Sequence, residues 1–545
     1  MPLESSAIRP FGEIALCLSG GGYRAATFAL GTLSMLDELN LLDDVMLLST
    51  VSGGTFTGLT YATWQTEGRS FAEFYNDFSH YLKTTNAIDK ALNDLYTTPS
   101  PSGSTDLSLI RSAAKSYSEC LLGKRSFSQL MKVACPGGRF RELIFNATEF
   151  REGNGFRFRA GCDDATVIGN QIFSVPRDVA AEIHLADIVA ASSCFPGAFE
   201  PIRFPDDFYW QSPLESIRSR LMQPTGQSGF DVDGKCLALP LMDGGVFDNQ
   251  GITSAVMADK NNIFGLFLVT DTSPREENIL DLPDVSPRRG IVSLNTLFWF
   301  AVGLFIVSLI AIGITGYSFF HADEPPRFAQ WQIIFAYIVS ISPAFLLIAV
   351  LIWIYSQFRK FETLDVSGAR FRLWHYFKKM ALPDAIEIIK ARVNSVMALT
   401  TNVFMKRIRQ LQFNNLMDPE SRAESVSFNL IYTLNPSKDR PWLWKHDKDL
   451  KPTVKMREIS AQAELIPTTL WMNEVQFDTL LACGRCTTCF SLLKFLWQKW
   501  QIEEESAQKQ NPPLHVPKPD TPESPSYEIY AELKSKWLEL KKKYD

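Results

Sequence analysis

Three consecutive glycines close to the amino terminus, Gly20, Gly21 and Gly22, constrain the fold of this chain more than any other feature. They follow an apolar stretch, residues 14–18, that predicts a β-strand, and they precede residues 25–39, which predict a helix. Glycines leave the backbone amides of a turn uncovered, so several N–H groups can converge at the positive end of that helix. The turn therefore predicts a nucleotide-phosphate cradle, an oxyanion hole or, with no ligand, a plain tight turn.

Nucleotide and nucleic-acid ligands fit the sequence poorly. The turn has neither the G-x-x-x-x-G-K-[ST] pattern nor the G-x-G-x-x-G spacing of nucleotide-binding loops. The acidic residues that follow, Asp37 and Glu38, lie on the predicted helix instead of at the end of a second strand. A net charge of −6 provides no overall basic field, so we expect no nucleic-acid partner.

A serine follows the next predicted strand in a position that suits a nucleophile. Residues 45–51 predict a short buried strand, and residues 55–64 can form a helix, with Ser52 and two glycines between them. This arrangement is typical of a nucleophile elbow, which holds a serine on a strained turn with its hydroxyl exposed. The usual pattern is G-x-S-x-G, and here Thr50 stands at the first glycine. The alternative is that Ser52 is a helix N-cap.

An aspartate is a better candidate base for Ser52 than any histidine. The chain has six histidines, none of them in a recognisable loop beside a predicted strand end, so a Ser-His-Asp triad has little support. Asp243 follows an apolar stretch, residues 237–242, and two glycines after it allow a sharp turn. A bare aspartate is a weak base, so such a dyad would depend on desolvation and a strong oxyanion hole. The alternative is a turn aspartate that bonds its own backbone.

These three pieces together resemble the patatin-like phospholipases, and residues 19–25 are also similar to the related cytosolic phospholipases. Two further segments support the resemblance: residues 145–150 resemble the family's Asn-Ala-Thr strand, and residues 191–196 resemble its Ala-Ser-x-x-x-Pro segment. The resemblance spans residues 13–273. Two departures are visible, Ser19 where plant patatins have aspartate and Thr50 at the elbow.

The resemblance implies an α/β fold with a central sheet flanked by helices, and it implies a role for each candidate site residue. Ser52 would be the nucleophile and Asp243 its base. The backbone amides of Gly20, Gly21 and Gly22 would form the oxyanion hole. Arg24 would bind or orient the substrate near the glycine loop.

The activity implied by the resemblance is a serine acyl hydrolase of the phospholipase A type, which cleaves fatty-acyl esters through an acyl-enzyme. An acyltransferase or a triacylglycerol lipase would use the same dyad, and a catalytically silent scaffold that binds lipid headgroups is a further alternative. The expected partners are membrane phospholipids or other acyl esters, and the sequence indicates no protein partner. This chemistry needs no metal or other cofactor.

Two long charge-free segments predict a transmembrane hairpin inserted into this fold. Residues 290–322 and residues 328–358 contain no Asp, Glu, Lys or Arg. Each is longer than the ~20 apolar residues that a helix needs to cross a bilayer. The linker between them, residues 323–327, is short and polar. Two buried core helices are the alternative, although a soluble domain rarely has two such uncharged runs.

The charges that flank the hairpin predict its orientation. Arg288 and Arg289 precede the first span, and Arg359 and Lys360 follow the second. By the positive-inside rule, both large polar parts of the chain lie in the cytoplasm. We therefore expect an integral membrane protein with two spans, in a bacterial inner membrane rather than an organelle membrane.

The rest of the chain predicts a catalytic domain that resumes after the hairpin. A basic segment with apolar residues at helical spacing follows the second span, and residues 426–432 alternate as a strand does. Residues 506–527 have the composition of a flexible linker. The predicted parts are a first catalytic part (10–285), the transmembrane hairpin (290–358), a basic juxtamembrane helical segment (359–415), the continuation of the catalytic domain (420–500), and a flexible linker with a charged carboxy-terminal helix (501–545).

Three of the nine cysteines are closely spaced, at Cys483, Cys486 and Cys489. Thiols at this spacing are able to ligate zinc or an iron–sulfur cluster, but the fourth cysteine and the proline of the ferredoxin pattern are missing. On a helix the three share one face. We therefore expect small buried cysteines, with S-acylation as an alternative and no disulfides.

Overall fold

The fold is described from a computed structural model of the chain. It describes residues 10–97, 108–134, 138–161, 167–222, 229–275, 293–321, 379–399, 403–417, 423–435, 443–510 and 512–545, with a few isolated positions between 322 and 378. The chain divides into two compact units. One contains Met1–Glu277 together with Phe404–Asp545, and the other contains Asn278–Val403.

The strands of the described residues all lie in the first unit, and eight of them form one sheet. The strands are β1 (Glu13–Leu18), β2 (Val45–Val51), β3 (Glu142–Glu149), β4 (Asn154–Gly161), β5 (Ile202–Phe204), β6 (Asp231–Val232), β7 (Lys235–Cys236), β8 (Leu239–Asp243), β9 (Phe264–Asp271) and β10 (Val426–Leu430).

The order of the large sheet is β10-β9-β1-β2-β3-β8-β5, and β4 pairs with β3 as well. The β10, β9, β1, β2 and β3 strands run parallel, whereas β4 and β8 are antiparallel to β3 and β5 is antiparallel to β8. Because parallel strands end at the same edge of a sheet, the turns that follow β1, β2 and β9 lie side by side. The glycine loop and Ser52 are therefore neighbours in space.

Helices cover both faces of this sheet, as the sequence predicts for an α/β fold. Those of the first unit are α1 (Gly22–Glu38), α2 (Gly53–Thr66), α3 (Phe71–Thr84), α4 (Ala87–Thr97), α5 (Leu109–Tyr117), α6 (Phe127–Val133), α7 (Arg177–Glu182), α8 (Leu185–Ser193), α9 (Leu214–Met222), α10 (Gly245–Asp248) and α11 (Ile252–Ala258), and after the second unit α14 (Phe404–Leu416), α15 (Leu443–His446), α16 (Val454–Leu465), α17 (Glu474–Gln508) and α18 (Tyr527–Lys543). The second unit contains α12 (Leu294–Phe320) and α13 (Leu382–Ala398).

Alternation along β1 divides the core into two clusters. Ile14, Leu16 and Leu18 point into the larger cluster, which α1, α2 and α17 cover. Ala15 and Cys17 point into the smaller cluster, which α11 and α14 cover. Both faces of β1 are thus buried, as expected for a parallel strand at the centre of a sheet.

The carboxy-terminal part of the chain completes this unit. The β10 strand extends the sheet beyond β9, and α17 packs closely along α1. Their crossing depends on two glycines, since a Cβ atom at Gly31 would lie 2.5 Å from the Leu481 carbonyl oxygen and one at Gly484 would lie 2.3 Å from that of Phe28. The helix that begins at the glycine loop is therefore supported by a helix more than 400 residues away in the sequence.

Residues 512–526, which the composition predicts as a flexible linker, instead fold back along α17. The Trp500 indole donates to the Val516 carbonyl at 2.9 Å, and the Val516 N–H donates to Glu504 at 2.7 Å. The α18 helix follows and buries Trp537 against Phe490 of α17. A few residues between the prolines and serines, such as Val516, hold this segment against α17. Overall composition does not reveal such individual contacts.

The first predicted span corresponds to α12, whose described apolar side chains are mostly exposed in the second unit. The second predicted span, residues 328–358, lies almost wholly outside the described residues, as do Arg370, Arg372 and Lys378 of the basic segment. Within the described part of the chain, α17 is also long and apolar enough to cross a membrane, but it is largely buried in the core. By length and composition alone these two helices are weak indicators of a membrane location.

Candidate active site

Ser52 lies on a sharp turn between β2 and α2. Its backbone has φ 50° and ψ −116°, a conformation that L-residues rarely adopt and that costs roughly 1–3 kcal/mol. Gly53 and Gly54 allow the turn, because a Cβ at Gly53 would lie 2.0 Å from the Gly22 carbonyl oxygen and one at Gly54 would lie 2.4 Å from that of Leu18. The Ser52 side chain makes no capping hydrogen bond to α2. Ser52 thus occupies the N-cap position without capping the helix through its side chain, and the strained strand–turn–helix has the geometry of a nucleophile elbow.

Asp243 ends β8 and accepts a hydrogen bond from the Ser52 hydroxyl. Both side chains are buried, with 6% of Ser52 and 4% of Asp243 exposed. The carboxylate also accepts a hydrogen bond from the Gly245 N–H at 2.7 Å. Asp243 therefore does bond the backbone of its own turn, as the turn-aspartate alternative expects, but it contacts Ser52 as well. Burial raises the pKa of Asp243 to about 6, against the opposing effect of these two hydrogen bonds. A proton acceptor with a pKa near neutrality thus contacts the serine.

The glycine loop lies against this pair, and two of its three amides are available to a ligand. Gly21 and Gly22 have φ of 137° and 57°, and within the described residues neither N–H has an acceptor. The N–H of Gly53, next to the serine, is also unpaired there. The Gly20 N–H, in contrast, donates to the Asn249 carbonyl at 2.9 Å. The expectation that Gly20 donates to an oxyanion is therefore corrected, since its amide is already occupied by the chain.

Because Gly20 has no side chain, the glycine loop can lie close to Ser52 and Asn249. A Cβ at this position would lie 2.4 Å from the Asn249 Oδ1 and 3.2 Å from the Ser52 Cβ. Any larger residue would push the loop away from the serine.

Arg24 connects the glycine loop to the carboxy-terminal part of the first unit. Its Nη1 donates to the Ile466 carbonyl at 2.8 Å, and the neighbouring Tyr23 N–H donates to the Thr469 carbonyl at 2.8 Å. These contacts fit the orienting role expected of Arg24. They also show that residues 466–469 support the beginning of α1.

Ser192 and Asn146 hold the turn at Ser52 in place. Both lie in the family-like segments of the sequence, but the sequence analysis gives them no role. The Ser192 Oγ accepts the Ser52 N–H at 2.9 Å and donates to the Asn146 carbonyl at 2.6 Å. The Asn146 Nδ2 donates to the Thr50 carbonyl at 2.9 Å, and its Oδ1 accepts from the Ser254 hydroxyl at 2.6 Å. The sequence does contain a signal for these roles, since each residue is a polar one inside an apolar segment. A polar side chain buried in this way needs hydrogen-bond partners, which identifies it as a candidate for holding nearby backbone in place.

Cys483, Cys486 and Cys489 are buried on α17 and lie outside this site. Cys483 and Cys489 donate to the backbone carbonyls of Ile431 and Leu533. Burial raises the pKa of Cys486 to about 12, which opposes the thiolate that a metal would require. Among the described residues, no group of three or more His, Cys, Asp or Glu side chains is arranged to hold a metal ion.

Comparison with known proteins agrees with the motifs. The family model for patatin-like phospholipase matches residues 16–256. No curated protein matches the chain. Among solved structures, human GIVD cytosolic phospholipase A2 matches with 16% identity and a TM-score of 0.31, over 51% of this chain and 47% of that chain.

Two further solved structures are similar in part. The same human enzyme in complex with methyl gamma-linolenyl fluorophosphonate and terbium chloride matches with 16% identity and a TM-score of 0.31, over 52% of this chain and 46% of that chain. VipD from Legionella pneumophila matches with 10% identity and a TM-score of 0.26, over 97% of this chain and 90% of that chain. The chain spans about half the length of the human structures.

The family model begins within β1 and ends within α11, so it includes the glycine loop, the elbow and the turn after β8. The resemblance predicted from the motifs is confirmed over these residues. Residues 16–256 of this chain therefore match the patatin-like phospholipase family, as the motifs predict.

Proposed function

We propose that this chain is a membrane-anchored serine acyl hydrolase of the phospholipase A type. The observation that supports it best is the hydrogen bond between Ser52 and Asp243 on a strained turn, beside backbone N–H groups with no protein acceptor among the described residues. The family assignment supports an acyl ester as substrate.

In the proposed reaction, the Ser52 Oγ attacks the ester carbonyl carbon while Asp243 accepts the hydroxyl proton. The carbonyl oxygen becomes an oxyanion, which the N–H groups of Gly21, Gly22 and Gly53 would stabilise. Removing one such donor typically costs about 3–4 kcal/mol of transition-state stabilisation. The tetrahedral intermediate then expels the alcohol, which takes the proton from Asp243 and leaves an acyl group on Ser52.

Water completes the cycle. Asp243 accepts a proton from the water as its oxygen attacks the acyl carbonyl, and the second tetrahedral intermediate releases the fatty acid from Ser52. The proton returns to the Ser52 oxygen. Every proton in this sequence is held by the dyad, so the chemistry requires no metal.

We further propose that α12 and the predicted second span anchor the enzyme in the membrane. An anchored enzyme stays beside its lipid substrate, so the effective substrate concentration is high at all times. The α12 helix has 27 residues, and at 1.5 Å per residue this length exceeds the roughly 30 Å of a bilayer's hydrocarbon core.

Two substitutions in the dyad test the function. Ser52→Ala and Asp243→Asn should each lower ester hydrolysis by at least about 10³-fold, because each removes a group that reacts. Ser219→Ala and Asp178→Asn are matched controls, since both residues are exposed and lie away from the dyad. Hydrolysis of phospholipid vesicles by the purified full chain is the measurement, and undiminished activity of Ser52→Ala would refute the assignment.

Labelling and product analysis separate the alternatives. A fluorophosphonate probe should label the wild type at Ser52 and fail to label Ser52→Ala, whereas a lipid-binding scaffold would be unlabelled in both. Mass spectrometry of the products distinguishes hydrolysis, which releases free fatty acid, from acyl transfer to another acceptor. Comparison of phospholipid with triacylglycerol vesicles tests the lipase alternative.

A further inference from the structure

A buried ion pair lies at the end of β9, next to the glycine loop. The Asp271 carboxylate is fully buried, and its Oδ2 is 2.8 Å from the Arg409 Nε on α14. The same carboxylate accepts from the Gln250 side chain at 3.2 Å and from the Ser273 N–H at 2.8 Å. Arg409 is 15% exposed and also donates to the Tyr432 hydroxyl at 2.9 Å. A buried carboxylate is costly unless it is paired in this way, so the pair is a structural requirement at this point.

The residues on either side of Asp271 hold the glycine loop. The Thr270 Oγ1 accepts the Ser19 N–H at 3.2 Å, and the Thr272 Oγ1 donates to the Gly20 carbonyl at 3.2 Å. A Cβ at Gly21 would lie 2.7 Å from the Thr272 Oγ1, so this threonine also limits where the loop can lie. The position of the end of β9 therefore sets the position of the amides at Gly21 and Gly22.

The opposite side of the loop is joined to the same carboxylate. The Gly20 N–H donates to the Asn249 carbonyl, and Gln250, the next residue, donates to Asp271. The Asp271 carboxylate thus connects both segments that contact the loop. Arg409 and Gln250 contact the same oxygen of this carboxylate, so the ion pair fixes the acceptor on which the Gln250 hydrogen bond depends.

Arg409 links α14 to the end of β9. Apolar contacts also pack this helix, since Leu416 is buried and the Phe413 ring centroid lies 4.4 Å from that of Phe428. A cavity of about 550 Å³ lies between Ile408, Leu411, Gln412 and Asn415 of α14 and Val246 and Phe247 after Asp243. Along this side α14 borders open space, and the Arg409 ion pair ties the helix to the end of β9.

The pair also joins two distant points of the chain. Asp271 comes shortly before the Asn278–Val403 unit in the sequence, and Arg409 comes shortly after it. The pair thus joins the two parts of the chain that make up the first unit.

We propose that Asp271 and Arg409 are positioning residues, whose ion pair fixes the end of β9 and thereby holds the glycine loop in the geometry that stabilises an oxyanion. This inference rests on the proposed function. The pair does not touch the substrate, and it acts through Thr270, Thr272 and Gln250.

Kinetics of charge-removing variants test the inference. Arg409→Met and Asp271→Asn should each lower kcat for ester hydrolysis by roughly 10–100-fold with KM changed less than about twofold, because a displaced oxyanion donor affects the transition state and not ground-state binding. Arg409→Lys keeps the positive charge and should recover most of kcat. Arg159→Met is the matched control, since Arg159 is also 15% exposed and pairs with Glu142 at 2.6 Å, at the other end of β3 from the elbow. It should leave kcat unchanged.

Active-site titration with a fluorophosphonate separates positioning from simple loss of folded protein. A positioning role predicts a normal number of titratable Ser52 sites that react more slowly, whereas misfolding predicts fewer sites that react at the normal rate. The inference is overturned if either charge-removing variant retains the wild-type kcat, or if the loss of rate equals the loss of titratable sites. A wild type that is neither active nor labelled overturns the proposed function itself.

Discussion

Asp243 is buried, and in the proposed reaction it has to be ionised to accept the proton of Ser52. Burial favours the neutral carboxyl group, and hydrogen bonds from Ser52 and Gly245 favour the carboxylate, with a resulting pKa of about 6. This balance suits a general base, because its strength increases with pKa while it remains largely ionised at neutral pH.

The pH dependence of hydrolysis should report this group. We expect the rate to fall about tenfold per pH unit well below pH 6, as Asp243 becomes protonated, and to be level above about pH 7. The measurement is kcat/KM for a neutral ester between pH 4.5 and 8.5, where no substrate group titrates. A rate that is unchanged between pH 5 and 7 would contradict the assignment of Asp243 as the base.

The residues that position the dyad were harder to predict than the dyad. Ser52 and Asp243 follow apolar strands and precede glycines, so a short local pattern marks them. Asn146, Ser192 and Asp271 lie in apolar segments, and their roles depend on partners that are distant in the sequence. Only the folded chain reveals which buried polar groups satisfy one another.

At the scale of elements, α2 compensates for the departure from the elbow pattern at Thr50. The Thr50 Oγ1 shares a hydrogen bond of 2.9 Å with the Thr55 hydroxyl. Its methyl group has space because residue 58 on α2 is glycine, where a Cβ would lie 2.5 Å from the Thr50 Cγ2. The larger residue at position 50 of β2 is thus accommodated by the absence of a side chain at position 58 of α2, which faces it.

We predict that Gly58→Ala destabilises the protein in spite of its better helix propensity. Overpacking typically costs about 1–3 kcal/mol, against a gain of about 1 kcal/mol from replacing glycine in a helix. Thr50→Ser keeps the hydroxyl and removes the methyl group, so the Thr50→Ser/Gly58→Ala double variant should recover part of the stability. Denaturant midpoints of the four proteins measure this coupling, and additive effects of the two substitutions would show that the contact is not important.

At the scale of the whole molecule, the two long apolar helices have different environments. The α12 helix exposes most of its described apolar side chains, whereas α17 buries most of its own against α1, β10, α16 and α18. Sequence hydropathy alone does not separate these cases. The burial of α17 identifies it as a core helix, whereas α12 keeps the exposed apolar surface that the proposed anchor requires.

Membrane extraction tests this distinction. The full chain should remain with the membranes after alkaline carbonate treatment, and Ile310→Arg in α12 should lower the retained fraction, because an arginine near the centre of a span costs about 2.5–3.5 kcal/mol. Val454→Arg is the control, since Val454 is exposed on α16 of the catalytic unit. Complete release of the wild-type chain would contradict the proposed anchor.

The sequence by itself determined the parts of this protein that depend on local patterns. These are the similarity of residues 16–256 to patatin-like phospholipases, the α/β class, the strand–turn–helix at Ser52 and the apolar length of α12. Each follows from periodicity, from glycines at a turn or from an uninterrupted apolar run, which are properties of neighbouring residues.

The tertiary structure alone decided which backbone amides remain free, which long apolar helix is buried and what holds residues 512–526 in place. Gly20 has the same local signal as Gly21 and Gly22, but the Asn249 carbonyl satisfies its N–H. The linker composition of residues 512–526 conceals the contact between Val516 and Trp500. The physical reason is the same in each case: hydrogen bonding and burial are completed by partners that the fold supplies from elsewhere in the chain.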